Sequence, residues 1–231
     1  MLANFQPTQN STKQNFIARL LIIVCASLFI VALPSLASAD NSGQSELHPK
    51  TIMVLGDSIS AGYGIQREQG WVHLLDQALI EQELGWRAVN ASISGETTGG
   101  GLARLGDLLT THEPDVVLIE LGGNDGLRGY PVKSIRANLT SMAEMVAKQG
   151  ATPVVMAMRI PPNYGPRYTR AFDGVFAEVA DSTASAFIPF FLAEVALEPG
   201  MMQDDGIHPT ADAQPQMLTF VLDHLEPLLT P

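Results

Sequence analysis

The sequence predicts an α/β chain: a three-layer α/β/α sandwich around a five-stranded parallel sheet. Three observations carry that expectation. From Thr51 onward the spacing of apolar residues switches back and forth between a strand-like period of two and a helix-like period near 3.6. The runs VVLIEL (116–121) and PVVMAM (153–158) are apolar on both faces, as central strands covered by helices on either side are. Helical patterns lie between the strand-like runs, the alternation that builds parallel sheets.

The elements follow in order. Strands are expected at residues 51–55, 87–91, 116–121 and 152–158, with a less distinct one at 186–190. Trp71, Leu74, Leu75, Ala78 and Leu79 share one face of a first helix, and Leu102, Leu105, Leu108 and Leu109 one face of a second. Ile135, Leu139, Met142 and Val146 form a third stripe, which Gly150 is placed to end as a left-handed cap. Phe172, Val175, Phe176 and Val179 mark a fourth, and Met217, Phe220, Val221 and Leu225 a C-terminal helix.

Residues 1–39 read as a cleaved secretory signal peptide. Lys13 and Arg19 precede an apolar run from Leu20 to Leu33, and small residues occupy the positions before Ala39. That run is shorter than the roughly 18 to 20 residues of a membrane-spanning helix, so no stable span is expected after cleavage. The only cysteine, Cys25, lies inside it, which removes disulfides, thiol catalysis and cysteine metal sites from the mature chain. Residues 40–50 form a polar linker and 51–231 a single domain. Loss of Lys13 and Arg19 takes the formal charge from −11 to −13, since residues 1–39 carry no acid. Such acidity argues against nucleic acid or anionic membranes as partners. A periplasmic or secreted monomer is expected.

Four segments at strand ends carry candidate chemistry. Ser58 lies three residues past the first strand, in Gly56-Asp57-Ser58. It could be a nucleophile or a turn serine, and Ser60 competes with it in the same loop. Gly95, just past the second strand, could bring a backbone N–H close to a ligand or simply make a turn. Asn124, in Gly122-Gly123-Asn124-Asp125-Gly126 past the third strand, offers an amide donor for a developing oxyanion, although its setting is ordinary turn composition. Asp205 and His208, in Asp205-Gly206-Ile207-His208-Pro209, can lie on one side of a helical turn, where the carboxylate could orient the imidazole or cap the turn. A serine hydroxyl needs such a base and orienter to act as a nucleophile. In an α/β sheet, sites form outside the carboxyl ends of the strands, which is where all four segments fall.

GDSISAGYG, NASISGET, LGGNDGLRG and DDGIHP resemble, in order and spacing, the four sequence blocks of the SGNH (GDSL-type) hydrolases, and the similarity covers most of residues 51–215. The resemblance implies a flavodoxin-like SGNH hydrolase fold. It further implies Ser58 as nucleophile, His208 as general base and Asp205 as its orienter. The N–H groups of Ser58 and Gly95 and the Asn124 amide would form the oxyanion hole. Residues 126–131 would be a mobile loop beside the site and 160–162 would help line an acyl groove, with Leu127 and Ile160 as the acyl contacts. No metal or organic cofactor is implied. The substrates implied are fatty-acyl thioesters, lysophospholipids and simple carboxylic esters. Two other readings are a narrower aryl or short-chain carbohydrate esterase, and a non-catalytic flavodoxin-like binding module with residues 56–64 cradling a phosphate. The last loop lacks Lys and Arg and would leave the GGND and DGIHP segments without a task.

Overall fold

The computed structural model describes residues 49–229. The proposed signal peptide, Cys25 and residues 40–48 of the expected linker lie outside the described residues. Strands β1 (Lys50–Gly56), β2 (Trp86–Asn90), β3 (Val116–Glu120), β4 (Thr152–Met156) and β5 (Ala186–Ile188) form one parallel sheet in the order β2-β1-β3-β4-β5. This is the flavodoxin-like order, whose crevice opens where the chain, having stepped from β1 to β2, crosses back to β3.

Helices connect the strands: α1 (Ser58–Ala61), α2 (Trp71–Glu81), α3 (Thr98–His112), α4 (Gly123–Leu127), α5 (Val132–Lys148), α6 (Pro166–Thr183) and α7 (Gln214–Leu229). Right-handed crossovers in opposite directions put α2 and α3 on opposite faces of the sheet. Helix α7 packs on α2, while α3, α5 and α6 pack in a row. The Gln214 side chain joins the first pair, accepting the Trp71 N–H at 2.9 Å.

The core follows the periodicity of the sequence. Ile135, Leu139, Met142 and Val146 of α5 are fully buried, as are Phe172, Val175, Phe176 and Val179 of α6. Gly150 adopts φ +85° directly after α5, the left-handed exit expected of it.

Three strands are shorter than expected. The chain leaves β4 at Met156 because its edge neighbour β5 pairs only as far as Met156↔Ile188, after which nothing extends the ladder. Met158, Ile160 and Phe190, expected in or just after those strands, are thereby released to line a cavity. At the other end, Lys50 belongs to β1 rather than to a linker: it pairs with Trp86 and its ammonium lies 5.1 Å from the centroid of that ring. Among the described residues, no helix is long and apolar enough to cross a membrane.

Candidate active site

The loops after β1, β2 and β3 and the turn preceding α7 converge on one cavity of about 580 Å³. Strand β1 delivers the first of them. Gly56 passes so close to the Glu120 carboxyl that a Cβ would collide with it and with Ser60 and Ser92. Asp57 then caps α1, its Oδ1 accepting the Ile59 N–H at 3.0 Å. Ser58 opens the helix and faces the cavity. Ser60 points the other way: it is 1% exposed and donates to Glu120 Oε2 at 2.7 Å. The two serines are thus separated by which side of a single helical turn they occupy.

Residues 203–208 form a compact turn rather than the helical turn expected from the spacing. An antiparallel bridge between Met202 and Pro209 closes it, with Gly206 at φ +66°. Asp205 Oδ1 accepts the N–H groups of Ile207 and His208 at 2.9 and 3.0 Å, so one carboxylate oxygen shapes the turn. The other, Oδ2, lies 2.6 Å from His208 Nδ1. On the far side of the ring, His208 Nε2 lies 2.8 Å from Ser58 Oγ. The His208 N–H, then its ring, then the Ile207 N–H lower the Asp205 pKa to about 2. An ionised carboxylate only accepts, so it selects the imidazole tautomer with the proton on Nδ1 and leaves Nε2 to accept from the serine hydroxyl. Tyr63, not singled out from the sequence, lies against the same imidazole with ring centroids 4.5 Å apart.

Gly95 takes φ +80°, a conformation that favours glycine. Its loop is held from both ends by Arg104 of α3, which pairs with Glu96 at 2.8 Å and donates to the Ala91 carbonyl at 2.7 Å. Arg128 donates to the Gly95 carbonyl at 3.2 Å.

Asn124 sits in α4, where the sequence had suggested only a turn. The helix is tied down by Asp125, whose two oxygens accept the N–H and hydroxyl of Thr98 at 2.8 and 2.6 Å. Ser58, Gly95, Asn124 and His208 all line the cavity.

The rest of the wall is largely apolar. Leu127 and Ile160 are both on it, together with Met158, Phe190, Leu192 and Met202. The end of α4 and the segment after it are anchored by two tyrosines: Tyr164 donates to the Leu127 carbonyl at 2.8 Å and Tyr168 to that of Tyr130 at 2.6 Å. Asp204 is exposed, and among the described residues no group of three or more His, Cys, Asp or Glu side chains is arranged to hold a metal ion.

Two buried carboxyls beneath the site were not anticipated. Asp57 is 2% and Glu120 0% exposed. Burial pushes the Asp57 carboxyl up to about 6, and Glu120 is raised well above the ordinary range by burial and by Asp57 beside it.

The GDSL-like Lipase/Acylhydrolase family matches residues 54–214. Esterase TesA of Pseudomonas aeruginosa is 50% identical over 180 residues, covering 78% of this chain and 90% of that one. An arylesterase of Vibrio mimicus is 48% identical, covering 75% and 87%. Thioesterase 1/protease 1/lysophospholipase L1 of Escherichia coli K12 is 42% identical over 202 residues, covering 87% and 91%. A crystal structure of TesA superposes with a TM-score of 0.75 at 50% identity, covering 78% of this chain and 99% of that chain.

Proposed function

The chain belongs to the GDSL-like lipase/acylhydrolase family, and we propose that it hydrolyses fatty-acyl thioesters, lysophospholipids and simple carboxylic esters through an acyl-enzyme on Ser58. The observation that carries the reading is the position of His208, within hydrogen-bond reach of Ser58 on one ring nitrogen and of Asp205 on the other.

In the proposed reaction Ser58 Oγ attacks the acyl carbonyl carbon while its proton passes to His208 Nε2. Asp205 stabilises the imidazolium that forms. The carbonyl oxygen becomes an oxyanion facing the N–H groups of Ser58 and Gly95 and the Asn124 amide. As the first residue of α1, Ser58 has an N–H that no carbonyl within the helix can satisfy, which suits it to that task. The tetrahedral adduct collapses when His208 returns the proton to the leaving alcohol or thiol. Water, deprotonated by His208, then attacks the acyl-enzyme and frees the acid and Ser58. The apolar walls around Leu127 and Ile160 would receive the acyl chain.

The thioesterase and lysophospholipase activities named for the E. coli relative, and the size of the apolar cavity, support a broad acyl preference. The V. mimicus arylesterase favours a narrower aryl-ester reading as second choice. We further propose that residues 1–39 direct export to the periplasm or exterior and are removed, and that the enzyme works as a monomer on a small-molecule substrate. A panel of acyl thioesters, lysophospholipids and p-nitrophenyl esters, run on the wild type and on Ser58→Ala, tests the reading. Rates that rise from acetyl to medium and long chains support it, and a preference confined to acetyl or aryl esters contradicts it.

A further inference from the structure

We infer that Asp57 is a positioning residue that fixes which edge of the Asn124 amide meets the oxyanion, an inference that rests on the oxyanion role proposed above for Asn124.

Both oxygens of Asp57 are used as acceptors, each for a different element. Oδ1 takes the Ile59 N–H at 3.0 Å and caps α1; Oδ2 takes Asn124 Nδ2 at 3.2 Å. An asparagine amide has a donor edge and an acceptor edge of nearly equal shape, and only the donor edge is useful to an oxyanion. A carboxylate beside it accepts from the nitrogen and repels the oxygen. One Nδ2 hydrogen is thereby committed to Asp57 and the other remains for the cavity, which Asn124 and Ser58 both line.

Capping alone does not require a carboxylate, because Asn and Ser cap as well. Acceptance at both ends does. The group is held where a charge is costly, 2% exposed, with its own N–H bonded to the buried Glu120 at 3.2 Å. Gly123, next to Asn124, allows the approach: a Cβ there would lie 3.2 Å from Asp57 Oδ2.

Asp57→Asn separates the two roles. With its oxygen kept toward the Ile59 N–H, the new side chain presents NH2 to the Asn124 NH2, and the Asn124 amide must turn its oxygen toward it. Asp57→Ser keeps a capping oxygen but is too short to reach Asn124. The test is a double-mutant cycle with Asn124→Ala, reading kcat and KM separately for one p-nitrophenyl ester on proteins whose folding is checked by thermal unfolding. Asn124→Ala is expected to lower kcat by about a hundredfold to a thousandfold, as loss of one oxyanion donor does. Asp57→Asn and Asp57→Ser are expected to lower kcat by about tenfold to a hundredfold with KM within about twofold. Each double variant should be no slower than Asn124→Ala alone. Full kcat in both Asp57 variants, or double variants that lose the product of the two single effects, would overturn the inference. Near-wild-type turnover in Asn124→Ala would instead remove the oxyanion role of Asn124, and the inference with it, while leaving Ser58 as nucleophile intact.

Discussion

His208 Nε2 and Ser58 Oγ lie 2.8 Å apart although 150 positions separate them in the chain. The contact joins the exit of β1 to the turn that precedes α7, so neither segment makes it without the fold that brings the two together. The activity proposed for this chain is therefore a property of the completed fold and not of either motif.

Asp205→Asn should retain the turn yet lose turnover. An amide oxygen can still accept the N–H groups of Ile207 and His208, while the charge that selects the imidazole tautomer is gone. By analogy with other Ser-His-Asp sites, kcat should fall by about ten-thousandfold, with thermal unfolding near the wild type. Steady-state kinetics beside a melting curve checks this, and retention of more than about a tenth of the activity would contradict the orienting role.

The Asp57 carboxyl gives a pH dependence of stability with a defined sign. Its folded pKa is raised from 3.8 to about 6, so proton binding favours the folded state. That contribution is fully present below about pH 3.8 and is lost as pH rises through about 6. It amounts to at most about 3 kcal/mol. Urea unfolding of Asp57→Asn across that window should show a shallower decline than the wild type, because one proton no longer dissociates. Glu120, also raised, keeps part of the decline in both proteins. Equal slopes would contradict the burial argument.

Gly95→Ala isolates backbone geometry from crowding. The nearest atom to an added Cβ is Arg128 Nη2 at 4.0 Å, so there is room, but φ +80° strains any residue with a Cβ. A stability loss of about 1 to 2 kcal/mol is expected, with a fall in kcat as the loop relaxes and its N–H shifts. Unchanged kcat would remove the Gly95 N–H from the proposed oxyanion hole.

Leu127→Ala should alter chain-length dependence more than chemistry. The side chain is half-buried on the cavity wall, and its truncation should lower kcat/KM for medium and long acyl esters by about tenfold while leaving acetyl esters near the wild type. Equal losses on acetyl and long-chain substrates would place the acyl group elsewhere.

The layered fold was legible because strands such as Val116–Glu120 are apolar on both faces and stripes such as Ile135 to Val146 keep helical spacing. Their ends were less so, since a strand stops where its neighbour stops, and β5 is only three residues long. The candidate residues stood out because each follows a strand. Helix α4 did not, for Gly-Asn-Asp-Gly is poor helix sequence and the helix is held by Asp125 against Thr98. Nothing local marks Asp57 and Glu120 as partners: their contact spans 63 positions and shows only when β1 and β3 are paired side by side.

Reaction with a fluorophosphonate, followed by intact mass and peptide mapping, reports directly on the nucleophile. One adduct per folded chain is expected, on Ser58, absent from Ser58→Ala and greatly slowed in His208→Ala. No adduct on the folded protein, or an adduct on Ser60, would contradict the assignment of Ser58 as nucleophile.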